Sequence, residues 1–303
     1  MALSLISSTS VFAAARTAKT NVLESQLSLD LSEGRTLVVE VLAPFTGPKD
    51  QSPLNIIVFS HGANAAPERY RALTAQWAQQ GYLVLSPVHI DSELHPKRET
   101  QDRAKILKTR LEDMTAIIDR LAQGTLLLPE LKNRTGRQAP IVAGHSYGAY
   151  IAQILGGATV IDPDNGKVIA HLSKAKIAAI IALSPPPAFE GFSPKGSWSS
   201  IVAPMLVQTG KLDVQPPFVS SWEQHLDSYF DAPKGLSWAC IYSGVDHYFG
   251  GTIGRVDPAA SDKSKTDLNR FAQLSLLFMS FAKTGEAGLE QNLRALCDEV
   301  PPQ

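Results

Sequence analysis

The sequence carries no excess charge of either sign and almost no cysteine, and both shortages narrow what it can be. Its 303 residues hold 28 Lys plus Arg against 29 Asp plus Glu, a net charge of -1. That balance gives no electrostatic footprint for nucleic acid, which needs many basic contacts to phosphate. Cys240 and Cys297 are the only cysteines and no Cys-x-x-Cys occurs, which argues against a cysteine-built zinc or iron–sulfur centre. No apolar run reaches the ~20 residues of a membrane-spanning helix. No Gly-x-Gly-x-x-Gly follows a strand pattern, so nothing marks a dinucleotide site. With 44% hydrophobic residues the chain is rich enough to fold. A chain of this length can bury roughly 75% of its unfolded surface in one core. Oligomeric state is not legible from any of this.

Residues 1–15, MALSLISSTSVFAAA, are uncharged, partly apolar and end in small residues. They read as a candidate export signal lacking the usual basic start, or as a tail outside the fold. Export to the periplasm or medium would let Cys240 and Cys297 pair, tying a terminal helix to the last core strand. In a cytoplasmic protein both thiols would stay reduced. From residue 20 to 303 the pattern is that of one domain. Two early strands, at 22–31 and 36–43, precede short apolar, β-branched runs at 55–60, 83–88, 140–143, 177–183, 204–208 and 238–243. Runs of that kind are strands covered on both faces. Helical spacing marks 67–80, 101–123, 146–155, 219–229, 268–282 and 286–297. The alternation predicts an α/β fold, a mostly parallel sheet of about eight strands flanked by helices, with little or no cap. The charged side of helix 101–123, with Asp102, Arg103, Lys108, Arg110, Glu112 and Asp119, reads as a solvated face.

Gly144-His-Ser-Tyr-Gly148 stands immediately after one of these strands and opens a helix. A sharp turn there lifts the Ser146 hydroxyl above the sheet and sets it at a helix N-terminus, the context a nucleophilic serine needs. The late loop Ser243-Gly-Val-Asp-His-Tyr-Phe-Gly-Gly251 places His247 after a buried strand, where a general base belongs. His225 falls inside a helical pattern and His171 in a polar connector. Asp213 follows the strand at 204–208 through a glycine turn, suited to holding an imidazole in one tautomer.

With Phe-Ser-His-Gly at 59–62, Val-His-Ile-Asp-Ser at 88–92 and Arg-Leu-Glu-Asp at 110–113, these motifs resemble the α/β-hydrolases. The chain is most similar to platelet-activating-factor acetylhydrolase and dienelactone-hydrolase-like esterases. The resemblance implies an oxyanion hole made by the backbone N–H groups of Tyr147 and Ala63, and it also places the acid at Asp213. It implies no cofactor. Phe189, Phe192, Trp198 and Phe249 are candidates for an apolar cleft, or for core. His89, Asp91 and His95 have the look of a metal cluster, but strand-end hydrogen bonding accounts for them better; no metal is expected. The expected activity is hydrolysis of a small-molecule or lipid-like carboxylic ester through an acyl-enzyme. A lipid deacylase, a lactone or polyester hydrolase, and a non-catalytic binding protein on the same scaffold stay open.

Overall fold

The computed structural model describes residues 9–16, 22–31, 34–45, 53–126, 128, 131, 134–135, 138–169, 176–190, 193–286 and 288–303. Nine strands form one sheet in the order β1-β2-β3-β5-β4-β6-β7-β8-β9. They are β1 (Thr9–Arg16), β2 (Val22–Asp30), β3 (Thr36–Pro44), β4 (Asn55–Ser60), β5 (Tyr82–Pro87), β6 (Ile141–His145), β7 (Ala179–Leu183), β8 (Met205–Gly210) and β9 (Ser237–Tyr242). The first three pair antiparallel, β3 pairs antiparallel with β5, and every later pairing is parallel. The ninth strand is β1. It lies within a segment that the sequence pattern sets outside the fold, and it pairs along β2.

The central strands are apolar along their whole length because both faces are covered. In β4, Ile56 and Val58 join one buried cluster while Ile57 and Phe59 join the other. Side chains alternate across a strand, so adjacent residues serve opposite layers. One layer contains α2 (Arg103–Gln123), α3 (Tyr147–Leu155) and α4 (Asp227–Asp231). The other contains α1 (Arg71–Gln79), α5 (Asp262–Thr284) and α6 (Leu289–Leu296). Helix α2 starts where the Asp102 side chain accepts from Lys105 N–H and stops at Gly124, whose φ of 70° suits glycine.

The helix expected over 219–229 is divided: a 3-10 turn at Trp222–Leu226 leads into the short α4. Among the described residues, no helix stands between α3 and that turn, so nothing helical caps the sheet edge there. Cys240 on β9 and Cys297 just past α6 are joined by a disulfide, with Cα atoms 5.4 Å apart. No described helix is long and apolar enough to cross a membrane.

Candidate active site

Ser146 sits between β6 and α3 with φ 54° and ψ -122°. A non-glycine residue at positive φ is strained, and such strain persists only where surroundings enforce it. Here the Ser146 N–H donates to Leu183 O at 2.8 Å, pinning the turn to the end of β7. The flanking glycines are required for space. A Cβ on Gly144 would stand 2.3 Å from Gly148 C, and one on Gly148 would stand 1.9 Å from Ser60 O. Lacking both, α3 starts directly against the end of β4.

His247 and Asp213 meet on the loops after β9 and β8. His247 Nδ1 lies 2.7 Å from Asp213 Oδ1, and Thr209 Oγ1 donates to Asp213 Oδ2 at 2.9 Å. Sequence patterning passed over His225, which is also here. Its Nε2 lies 2.9 Å from the same Oδ1 in a bent contact, an ion pair rather than an aligned hydrogen bond. Its ring stands 5.9 Å from that of His247. Burial would raise the Asp213 pKa, but the two histidines outweigh it and hold the carboxyl well below the usual range. Asp213, His225 and His247 are also the one group among the described residues whose spacing would suit a metal ion.

His145, the residue before the serine, bridges the two sides of the site. Its Nε2 lies 2.8 Å from His247 O, so that nitrogen donates. Its Nδ1 therefore accepts from Tyr70 Oη at 2.9 Å, and Tyr70 in turn accepts from Gly62 N–H at 3.0 Å. This arrangement needs a neutral His145. Burial and the neighbouring His247 push its pKa down to about 3.

The Gly62–Ala63 loop rests on a buried charge network. Arg110 grips Asp91 with Nε and Nη2, each at 2.8 Å. It also donates to His61 O at 2.6 Å, Gly62 O at 3.1 Å and Ser60 Oγ at 3.2 Å. Asp91 Oδ2 accepts from Asn64 N–H at 2.9 Å. Burial raises the Asp91 pKa, Arg110 more than reverses it, and the carboxyl stays ionised. Behind them Ser60 Oγ lies 2.9 Å from His89 Nε2, and His89 Nδ1 lies 2.8 Å from Asp113, which also pairs with Arg35. This second serine–histidine–aspartate chain is fully buried, so it braces the loop and meets no substrate. Arg110 thus corrects the solvated-face reading of α2: it is fully buried, as is its neighbour Asp113. The signal was present, because Arg110 falls three after Leu107 and four before Met114, on the apolar stripe. His89 and Asp91 are engaged in these bonds, and with His95 they form no metal-like group.

Two cavities, of about 880 and 690 Å³, meet at Ser146, His247 and Ala63. The larger has charged walls from Arg69, Glu93, Asp246 and Arg255. The smaller is lined by Ile106, Tyr147, Tyr150, Pro186 and Phe189. Of the expected pocket aromatics, Phe189 lines the smaller cavity, at 37% exposure. Phe192 and His171 lie outside the described residues. Trp198 and Phe249 are core instead. Both are fully buried; Trp198 Nε1 donates to Gln153 at 2.9 Å and Phe249 packs edge-on against Phe271. Aromatic residues near a strand end satisfy either environment, so composition could not separate them.

Residues 57–278 match the Alpha/beta hydrolase family. No curated protein sequence matches significantly. Among solved structures, the chain is similar to the thermophilic esterase Est2 of Thermogutta terrifontis. The match has 16% identity and a TM-score of 0.57, covering 84% of this chain and 92% of that one. It is similar to the acetyl xylan esterase of Paenibacillus sp. R4 at 13% identity and a TM-score of 0.57, covering 88% of each. A dienelactone hydrolase-like protein of Klebsiella pneumoniae matches at 16% identity and a TM-score of 0.56, over 86% of this chain and 98% of the other.

Proposed function

From the premise that the chain belongs to the alpha/beta hydrolase family, we propose that it is a serine hydrolase of carboxylic esters. Ser146 attacks the ester carbonyl, His247 takes the hydroxyl proton and returns it to the leaving alcohol, and Asp213 fixes the imidazole tautomer. The acyl-enzyme is then released by a water activated in the same way. The N–H groups of Tyr147 and Ala63 hold the oxyanion. One observation carries this reading. A serine forced to φ 54° at a strand–helix elbow opens on the same cavities as a histidine bonded at 2.7 Å to a buried carboxylate.

The cleft favours esters with substantial apolar parts. Leu212, Val214, Phe218 and Val256 edge the larger cavity and are exposed, Phe218 at 61%. Long-chain, lipid-like or polymeric esters would cover that rim, whereas a small ester would leave it wet. A chain-length series of p-nitrophenyl esters beside phospholipid and polyester substrates tests the substrate class. We further propose an exported protein, a reading supported by the Cys240–Cys297 disulfide, since such bonds persist in oxidising compartments.

Ser146→Ala tests the central claim. Ester hydrolysis should fall by ~10⁴-fold or more and fluorophosphonate labelling should vanish, with the fold intact by circular dichroism. Activity within about tenfold of the parent would remove Ser146 as the nucleophile.

A further inference from the structure

His225 is given no part in the mechanism above, yet it is buried and each of its ring nitrogens faces oxygen. Nδ1 lies 2.7 Å from Pro185 O. A carbonyl oxygen has no hydrogen to give, so Nδ1 donates. Nε2 lies 2.9 Å from the Asp213 carboxylate. In a neutral ring with Nδ1 protonated, Nε2 would aim a lone pair at an anion, away from water. Only the imidazolium gives both nitrogens an attractive partner. The balance of local effects agrees: burial opposes the charge, but the Asp213 carboxylate and the Pro185 and Asp213 carbonyls outweigh it and raise the His225 pKa. The titratable groups facing the ring are Asp213 on the loop after β8, His247 on the loop after β9 and, behind it, His145 at the end of β6. Asp227, on the segment that bears His225, is turned to Ala188 N–H at 2.9 Å.

We infer that His225 is a positioning residue that acts as a standing cation through Asp213, so that one carboxylate is shared between two imidazole rings. The inference rests on the Ser146–His247–Asp213 assignment. Sharing has two consequences. The Asp213 carboxylate is clamped between the His247 loop and the Pro185 loop, which keeps Oδ1 aimed at His247 Nδ1. A positive charge also sits 5.9 Å, centroid to centroid, from the His247 ring. That charge adds to the field in which the His247 imidazole would exchange its proton with the serine and the leaving alcohol.

His225→Gln tests this, because the amide keeps an N–H donor and drops the charge. The acidic limb of kcat/KM, measured with phenyl acetate in a pH-stat, should move upward by about 0.5–2 pH units, the range that Coulomb's law gives for one charge at ~6 Å. A role in packing alone would lower activity without moving the limb. A second measurement uses the unmutated protein, in case the variant does not fold. With ¹⁵N-labelled histidine and assignment through the backbone, the His225 ring should show two protonated nitrogens at pH 7. An unmoved limb, or a His225 ring with one bare nitrogen, overturns the inference. Failure of the triad reading would look different, since Ser146→Ala would then stay active whatever the charge on His225.

Discussion

Gly148→Ala asks whether the approach of α3 to β4 is what assembles the oxyanion hole. The added Cβ would stand 1.9 Å from Ser60 O, 2.5 Å from Ser60 C and 2.7 Å from His61 O. All three are backbone atoms of the fully buried last residue of β4 and the residue after it, so no flexible side chain can swing aside. Relief to an ordinary contact needs roughly 1.5 Å of separation between the start of α3 and the end of β4. That movement carries Tyr147 N–H away from Ala63 N–H, since one begins α3 and the other follows β4. A misplacement of about 1 Å at reacting groups costs on the order of 10²-fold, and loss of one oxyanion donor costs about 10²–10³-fold in kcat. We therefore expect kcat to fall by roughly 10²-fold or more. Overpacking should reduce stability by about 1–3 kcal/mol in urea unfolding. KM should change as well, because Tyr147, which lines the smaller cavity, shifts with the start of α3. A kcat within about threefold of the parent, in a folded variant, would refute the idea that this close approach sets the hole.

Asp213→Asn should lower kcat by roughly 10⁴-fold by presenting His247 in the wrong tautomer; a near-silent variant in steady-state assays would show that another group orients the ring. Replacing Cys240 and Cys297 with alanine opens a loop closed over a sequence separation of 57 residues, and chain entropy predicts a loss of about 4 kcal/mol in urea unfolding; unchanged stability, or two alkylatable thiols in the unreduced native protein, would contradict the bond. Acid should destabilise the fold most steeply below about pH 4. His61, His89 and His145 are all held neutral by burial, with pKa values depressed on folding, to about 3 for His145. Their contribution is complete above the unfolded value near 6.5 and is lost as pH falls, at up to about 1.4 kcal/mol per pH unit for each. His225, Glu40 and Asp113, the last pushed up to about 7 by burial, have raised pKa values and work in the opposite sense down to the unfolded carboxylate range near 4. Below that only losses remain, from the depressed histidines and from Asp91 and Asp213, whose carboxyls are held well below the usual range. Urea midpoints should therefore fall faster below about pH 4 than between about pH 7 and 5, and a midpoint that falls no faster there would reject the sum.

What the sequence disclosed was local or ordered along the chain. The elbow is legible because strand, Gly144, Ser146, Gly148 and helix are contiguous, and the glycines answer to contacts within a few residues and with β4. His247 and Asp213 follow from their places after successive late strands. Arg110, Asp113 and His225 escaped for a different reason. Each is a polar residue whose meaning lies in a partner far along the chain: Arg110 with the carbonyls of residues 61 and 62, Asp113 with Arg35 and His89, His225 with Pro185 and Asp213. Arg110 was read with the charged face although its spacing from Leu107 and Met114 also puts it beside the apolar stripe, and periodicity cannot say whether such a cation is buried and paired or merely borders the core. For His225 no local pattern helps, because both of its ring partners, Pro185 O and the Asp213 carboxylate, lie on other loops.

The two sides of Ser146 are built on opposite electrostatic terms, and each suits its task. An oxyanion hole works by dipoles that do not move when charge appears. The loop carrying Ala63, the proposed donor, is held by Arg110 and Asp91, a buried pair from which Arg110 also reaches three neighbouring backbone or hydroxyl oxygens. Breaking such a pair strands a buried charge, so the loop is stiff for the same reason that the pair is costly to bury. A general base must instead change charge twice in each turnover. His247, the proposed base, is placed on a glycine-containing loop and tied to a carboxylate that also contacts His225. Tyr70 and His145 join these halves through bonds that require a neutral His145, and its depressed pKa keeps it so. Any shift of the His247 loop is thereby transmitted to Gly62 N–H, one residue from the proposed donor Ala63.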